Sequence, residues 1–331
     1  MRILYAVQGT GNGHLARARE VVPHLLHHGA VDVLISGQHA EVDCGQQPAY
    51  RLKGLGFIFG KSGGVDMLKT WSRNHVRQLL RDVRSVPVQD YDVVINDFEP
   101  VTAWACRKAG IPCWGLSHQA AVLHPAAPQP AKSDLMGRFI LRQYAPVSEQ
   151  WGFHFKPYAP GIFSPVIRGE VRALTPSAGG RFVVYLPAYS DEKIIKVLSE
   201  VRADFHVFSK HTDKRYRVRN LAIEPIRNEA FLQALASAEG LLCGAGFEAP
   251  AEALYLGKKV LAIPMKNQFE QQCNAAALQD LGVPILKNLK RKRLEALRNW
   301  VEDAPHIEGL AFPDQTAAVV AKVLAAAQAR R

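Results

Sequence analysis

The run LLCGAGFEAPAEALYLGKKVLAIPMKNQFEQQCNAAALQDLG, from Leu241 to Gly282, constrains the fold more than any other stretch. Leu241–Cys243 is a short apolar run, the pattern of a strand covered on both faces. Gly244-Ala245-Gly246 follows at once, and the spacing predicts a helix from about Ala249 to Leu256. Pro250 suits its first turn, where a missing N–H does no harm. Gly257 is a stop signal. Val260–Ile263 reads as a second strand closed by Pro264, and Gln268 to Leu281 as a second helix ending at Gly282. Strand, small-residue turn, helix and strand make a βαβ unit, which commits the chain to α/β architecture with a parallel sheet.

Such a turn has a chemical use. Small residues let backbone N–H groups approach an anion, and the positive end of the following helix favours negative charge there. In an open parallel sheet these turns lie at the carboxyl ends of the strands, where ligands bind. Asn267, Gln268, Glu270, Gln271 and Gln272 come from the next loop and helix start and face the same crevice in this reading. A phosphate cradle flanked by carboxylates and amides suits a nucleotide with a ribose diol. An ordinary βαβ turn with solvated polar residues fits the spacing equally well.

The pattern G-F-E-x-x-x-E-A-L-Y-L-G-K-x-V-L-A-I-P…F-E-Q-x-x-N-A resembles the donor-binding half of the GT-B glycosyltransferases. It is similar above all to the group containing the bacterial peptidoglycan N-acetylglucosaminyltransferase. The resemblance implies that Gly244, Ala245, Gly246 and Phe247 hold the donor diphosphate. It implies that Glu252 holds the ribose hydroxyls, and that Glu270 with Gln271 holds the donor sugar. Glu248 departs from the pattern, because many relatives carry a small or hydroxyl residue there. Its charge suits a helix start but would repel a diphosphate.

Near the N-terminus, Arg2–Val7 reads as a first strand, Gly9-Thr10-Gly11-Asn12-Gly13-His14 as a loop, and the residues to about His28 as a helix. Pro23 is expected to kink or divide that helix. The loop fails the dinucleotide fingerprint, because G-x-G-x-x-G requires glycine at position 14. It matches the first loop of the GT-B group, G-x-G-x-G-H. That match puts Gly11, Asn12 and Gly13 at the interdomain cleft and makes His14 a candidate general base, since an attacking hydroxyl must lose a proton. Further on, Asp92–Ile95 predicts a strand ending in Asn96-Asp97-Phe98-Glu99-Pro100, and Pro112–Leu116 a strand leading to Ser117-His118-Gln119. Asp97, Glu99, His118 and Gln119 then share one crevice. Asp97 and His118 are candidates to orient or deprotonate an acceptor, and Asp97 is equally a candidate helix cap. Arg73, Arg77, Arg81 and Arg84 recur at helical spacing, the mark of a solvated basic face.

Prolines crowd residues 155 to 176, and Ser177–Gly180 adds small residues, so the linker is placed there. The domains read as 1–160, an acceptor half, and 178–310, a donor half. A C-terminal helix over 311–331 crosses back to the first domain, as is common in GT-B folds. In the donor half the loop after Phe182–Leu186 reads PAYSDE, where Ser190 is the one candidate phosphate donor. Ile223–Ile226 resembles the strand whose end supports the base, which places Ile226 there. Lys210 to Arg219 reads as a basic loop interrupted by Tyr216, and Lys287–Arg293 as a second basic run.

The chain of 331 residues, with a formal charge of +11, is attracted to anions: nucleotide diphosphates, nucleic acid or an anionic membrane surface. No nucleic-acid signature accompanies the basic loops, so nucleic acid is the weakest of the three. Five scattered cysteines without C-x-x-C argue against a disulfide framework or a zinc site. A cytoplasmic protein, in peripheral membrane contact at most, is the expectation. The reading is two Rossmann-like domains facing across a cleft. It implies a glycosyltransferase using a nucleotide-diphosphate sugar, UDP-linked by resemblance, with inversion, no metal and no further cofactor. The acceptor is a glycan, lipid or small molecule. The alternatives are a nucleotide-sugar epimerase of the same fold and a non-catalytic nucleotide-binding protein.

Overall fold

A computed structural model describes residues 1–10, 12–37, 44–54, 73–132, 134–307 and 310–330. The chain forms two compact units. The first comprises Met1–Ala127, Ser133–Arg168 and Pro313–Arg331, and the second Pro128–Lys132 and Gly169–Phe312.

The first unit begins with β1 (Arg2–Gln8), α1 (Asn12–Leu26), β2 (Ala30–Ser36), β3 (Tyr50–Leu52) and α2 (Arg73–Ser85). It continues with β4 (Val93–Asp97), α3 (Pro100–Ala109), β5 (Cys113–Leu116), α4 (His118–Leu123), α5 (Leu135–Tyr144), β6 (Glu149–Phe153) and β7 (Ile162–Phe163). Among the described residues the sheet has seven strands in the order β3-β2-β1-β4-β5-β6-β7, all parallel. Parallel strands covered on both faces need continuous apolar sequence, and Ile3, Leu4, Tyr5, Ala6 and Val7 are all 0% exposed. The register pairs Val7 with Asp97 and Gln8 with Ser36, so the polar residues gather just where the apolar runs end.

The second unit holds α6 (Gly169–Arg172), β8 (Arg181–Tyr185), α7 (Asp191–Leu198), β9 (Asp204–Ser209), β10 (Tyr216–Val218), β11 (Leu221–Pro225) and α8 (Asn228–Ser237). After these come β12 (Gly240–Gly244), α9 (Glu248–Tyr255), β13 (Lys259–Ile263), α10 (Phe269–Asp280) and α11 (Leu294–Asp303). The strand order is β10-β11-β9-β8-β12-β13, parallel except for the β10–β11 hairpin. Phe182, Phe205, Leu242, Leu261, Leu297 and Trp300 centre its core. Each such side chain contributes about 1.5–3 kcal/mol on burial. Gly257 and Gly282 end α9 and α10 at φ +69° and +87°, the left-handed backbone that glycine adopts without strain. A last helix, α12 (Thr316–Ala329), packs against α1 in the first unit. Among the described residues no helix is long and apolar enough to cross a membrane. All five cysteines are buried free thiols.

Two local expectations are corrected. Pro23 does not divide α1, which runs on to Leu26. Proline stands in its last turn on the exposed side, so the one lost hydrogen bond leaves a carbonyl facing water. The basic loop from Lys210 to Arg219 contains β10, turned back on β11 through Arg219 at φ +53° and Asn220. Asn220 fixes that turn by donating to the carbonyls of Leu198, Val201 and Ala203. The units divide between Arg168 and Gly169, inside the proline-dense stretch read as linker, which also carries β7 and α6. The segment Lys61-Ser62-Gly63-Gly64 and most of the strand expected at Leu52–Phe59 lie outside the described residues.

Candidate functional site

In the first unit the site forms where β1, β4 and β5 end. Gly11 lies outside the described residues. Asn12 starts α1, and Gly13 is its second residue. One turn on, α1 presents His14 and Arg17. Arg17 is 3% exposed and grips Asp97 with two bonds, Nε to Oδ2 and Nη2 to Oδ1, each 2.8 Å. His14 Nδ1 lies 2.9 Å from the same Oδ1, and Arg17 Nη2 lies 3.0 Å from Nδ1. Burial works to raise the Asp97 pKa. The Arg17 charge, then His14, outweigh it and hold the carboxyl down at about 2. Asp97 is therefore an ionised acceptor at neutral pH. Accepting from Nδ1–H, it leaves the lone pair of the neutral imidazole on Nε2.

The turn after β4 carries backbone strain. Phe98 sits at φ +56°, rare for a bulky side chain and of order 1–3 kcal/mol in cost. Asn96 holds it there. Its Oδ1 accepts from Glu99 N (2.9 Å), and its Nδ2 donates to Glu99 O (2.7 Å) and Thr102 Oγ1 (2.8 Å), a staple across the strained residue. Phe98 thereby lies near-parallel to His14, ring centroids 6.2 Å apart, and packs on Tyr144 at 4.8 Å.

The turn also decides between the two roles that the sequence left open for Asp97. Asp97 does not cap α3. Glu99 does, accepting from Val101 N (2.6 Å), Thr102 N (2.7 Å) and Thr102 Oγ1 (2.6 Å), with Ser36 Oγ also donating to it. Burial nonetheless raises the Glu99 pKa.

His118 opens α4 at 1% exposure. Its Nδ1–H donates to Phe153 O on β6 (2.9 Å), and its ring meets His154 edge-on at 5.1 Å. The next residue, Gln119, places Nε2 3.4 Å from His14 Nε2. Arg17 and Asn96 were missed as site residues in the sequence. Arg17 stands one turn after His14, but its partner lies eighty residues away. Asn96 was visible only as part of the strand end.

In the second unit β12 delivers the chain to Gly244-Ala245-Gly246-Phe247, and α9 begins at Glu248. A Cβ at Gly246 would meet nothing within 4 Å, and one at Gly244 only Gln271 Oε1 at 3.9 Å and Ile263 O at 4.0 Å. Neither glycine has positive φ. Packing and dihedral strain therefore do not require them, and the missing side chains leave open space over the turn. Asn274, 0% exposed, donates to Ala245 O (3.1 Å) and steadies the bend. Glu252 lies on α9, 3% exposed. Gln271 accepts from Met265 N (2.8 Å), and Gln272 donates to Met265 O (2.9 Å). The pair thus pins the loop after β13, whose Asn267 stands at φ +61°. Glu270 is half-buried on the first turn of α10. Ser190 is exposed just before α7, and Ile226 is 36% exposed just after β11.

Two sheets of this order, with turns of this chemistry at the strand ends, define a GT-B glycosyltransferase fold. Three solved structures are similar over nearly the whole chain. The glycotransferase of kitacinnamycin matches with a TM-score of 0.61 at 15% identity, covering 99% of this chain and 95% of its own. Arabidopsis thaliana UGT89C1, solved complexed with UDP, matches at 0.61 and 14%, covering 99% of each chain. Acinetobacter baumannii MurG matches at 0.56 and 15%, covering 98% and 99%. No curated protein sequence matches the chain significantly. The profile of Glycosyl transferase family 1 matches residues 1–305, and the chain belongs to that family.

Proposed function

We propose that this glycosyltransferase moves a sugar from a UDP-linked donor to an acceptor hydroxyl, with inversion at the anomeric carbon and without a metal. The second unit takes the nucleotide. Backbone N–H groups from Gly244 to Phe247 and the start of α9 receive the diphosphate, the open space over Gly246 admitting it. Glu252 takes the ribose hydroxyls, and Glu270 and Gln271 the sugar. Ser190 and Ile226 border the phosphates and the base. The UDP in the Arabidopsis relative favours a uridine nucleotide.

The observation that carries the reading is the chain Arg17–Asp97–His14. It fixes an imidazole whose acceptor nitrogen faces Gln119 rather than Asp97. In the reaction His14 Nε2 takes the acceptor proton as the oxygen attacks the anomeric carbon. The glycosyl–phosphate bond breaks, and its electron pair leaves on the diphosphate. Asp97 stabilises the imidazolium that forms. His118, committed at Nδ1 inside the sheet, is better suited to positioning α4 than to proton transfer.

A thermal-shift screen against UDP, dTDP, GDP and ADP tests the donor half, since a ligand of the native state raises Tm. UDP release from UDP-sugars, with and without an alcohol acceptor, tests turnover. His14→Asn should retain UDP binding and lose at least ~100-fold in kcat. Unchanged turnover in that variant would sink the mechanism. Interconversion of UDP-sugars without any acceptor would point to an epimerase instead.

A further inference from the structure

We infer that Gln119 is the residue that orients the acceptor, and that it selects an oxygen nucleophile over a nitrogen one. The inference rests on the glycosyltransferase reading above and on one contact that reading does not use. Gln119 Nε2 stands 3.4 Å from His14 Nε2, longer than the usual 2.7–3.2 Å for such a bond. Gln119 is 4% exposed, and Ser117 fixes its helix start by accepting from Ala120 N at 3.1 Å. The amide is thus placed by the fold on the nitrogen that must receive the proton.

A hydroxyl has the complementary pattern. Its hydrogen needs an acceptor, which is His14 Nε2. One oxygen lone pair needs a donor, which is the Gln119 amide. The other lone pair is then left to attack. An oxygen about 2.8 Å from both nitrogens reaches a tetrahedral angle once they are wedged apart by about 1 Å beyond their present separation. In the free enzyme the amide keeps the site closed, and the acceptor replaces one weak contact with two good ones. A neutral amine has a single lone pair. If the amide takes it, nothing is left for attack, so Gln119 gives an amine no help. In the transfer step the O–H bond breaks as the proton passes to His14 Nε2, and the new C–O bond forms from the lone pair that Gln119 leaves unengaged.

The test uses the full-length protein, UDP-glucose and two matched probes, 7-hydroxy-4-methylcoumarin and 7-amino-4-methylcoumarin. Gln119→Leu should lower kcat for the hydroxyl probe roughly 10- to 100-fold and change transfer to the amine less than about threefold. UDP affinity and Tm should stay at wild-type values. Equal losses on both probes, or none, overturn the inference. If neither coumarin is glycosylated, hydrolysis of UDP-glucose replaces them, with water as the hydroxyl acceptor, and release of UDP should fall by the same factor. A second arm needs no turnover. In ¹⁵N-histidine-labelled protein, Gln119→Glu, which places a carboxylate beside Nε2, should put a proton on His14 Nε2 in addition to the one that Asp97 holds on Nδ1. A His14 Nε2 that stays unprotonated in this variant overturns the contact on which everything here rests. A wild-type protein that consumes no UDP-sugar, with Nε2 protonated in the Gln119→Glu variant, removes the glycosyltransferase mechanism and with it the acceptor role, while leaving the contact standing.

Discussion

Arg17→Met, Asp97→Asn and the two together form a double-mutant cycle on the buried pair. Arg17 is 3% exposed and Asp97 is 0% exposed, and two 2.8 Å bonds join them. Removing one partner of such a pair strands the other charge, at about 3–5 kcal/mol. Asp97→Asn strands a guanidinium, which cannot discharge, so its cost persists at every pH. Arg17→Met strands a carboxylate, which can take a proton. With the arginine gone, burial is opposed by His14 alone, so the Asp97 pKa rises from its wild-type value. The variant should then lose less stability than the wild type as pH falls from 5 towards 2. The double variant has no stranded charge, and Met fills the guanidinium's channel along Phe153. It should lie within about 1–2 kcal/mol of wild type, giving a coupling energy of at least about 4 kcal/mol. Urea unfolding followed by tryptophan fluorescence reads this, because Trp104, Trp114 and Trp151 all belong to the first unit. Each single variant should lower Tm by about 10 °C at 2–4 °C per kcal/mol. Single costs that add to within about 0.5 kcal/mol would show that the two charges do not support each other, and the account of Asp97 would fall.

Four further outcomes follow from the same geometry. The folded Asp97 pKa of about 2 lies below its unfolded value of about 3.9, so its contribution of about 2 kcal/mol is complete above pH 4 and lost as pH falls towards 2. Acid titration of the wild type should show that loss and Asp97→Asn should not. Gly246→Val meets open space, so stability should change by less than about 0.5 kcal/mol while UDP affinity in calorimetry falls at least tenfold. Gly240→Ala is the converse control. Its Cβ would stand 2.7 Å from Lys259 O, so it should lose about 1–3 kcal/mol, and the surviving folded protein should bind UDP normally. Asn96→Ala removes the staple on Phe98 and should cost about 1–3 kcal/mol by Tm, with kcat falling further than UDP affinity.

The donor half was legible because its signals are local. β12 and β13 are unbroken apolar runs, and Gly257 and Gly282 mark helix ends within one or two residues. The stretch after Leu123 was not. β6 reads E-Q-W-G-F with two half-buried residues and one exposed, the weak pattern of a strand near a sheet edge, and prolines at 146, 157 and 160 obscure the elements around it. The candidate site divided the same way. His14 was recognisable from its glycine loop. The division of labour between Asp97 and Glu99 was not, because it depends on a left-handed Phe98 that turns one acid towards α1 and the other onto α3. No pattern in N-D-F-E-P announces that a phenylalanine will take a dihedral better suited to glycine.

The two turns also differ in what they cost, and the difference tracks what each must do. In the proposed reading a phosphate is recognised by backbone N–H groups, which asks of the second unit only small residues and a helix start, and Gly244 and Gly246 have neither packing nor dihedral strain. A general base must hold one nitrogen in one direction, and flexible backbone cannot do that. The first unit fixes His14 with a fully buried ion pair and a strained aromatic, the latter held by three bonds from Asn96. Apolar side chains of similar volume would stabilise the fold at least as well as the ion pair. Stability does not explain why these features converge on the face of one imidazole, whereas the proton transfer proposed for His14 would require it.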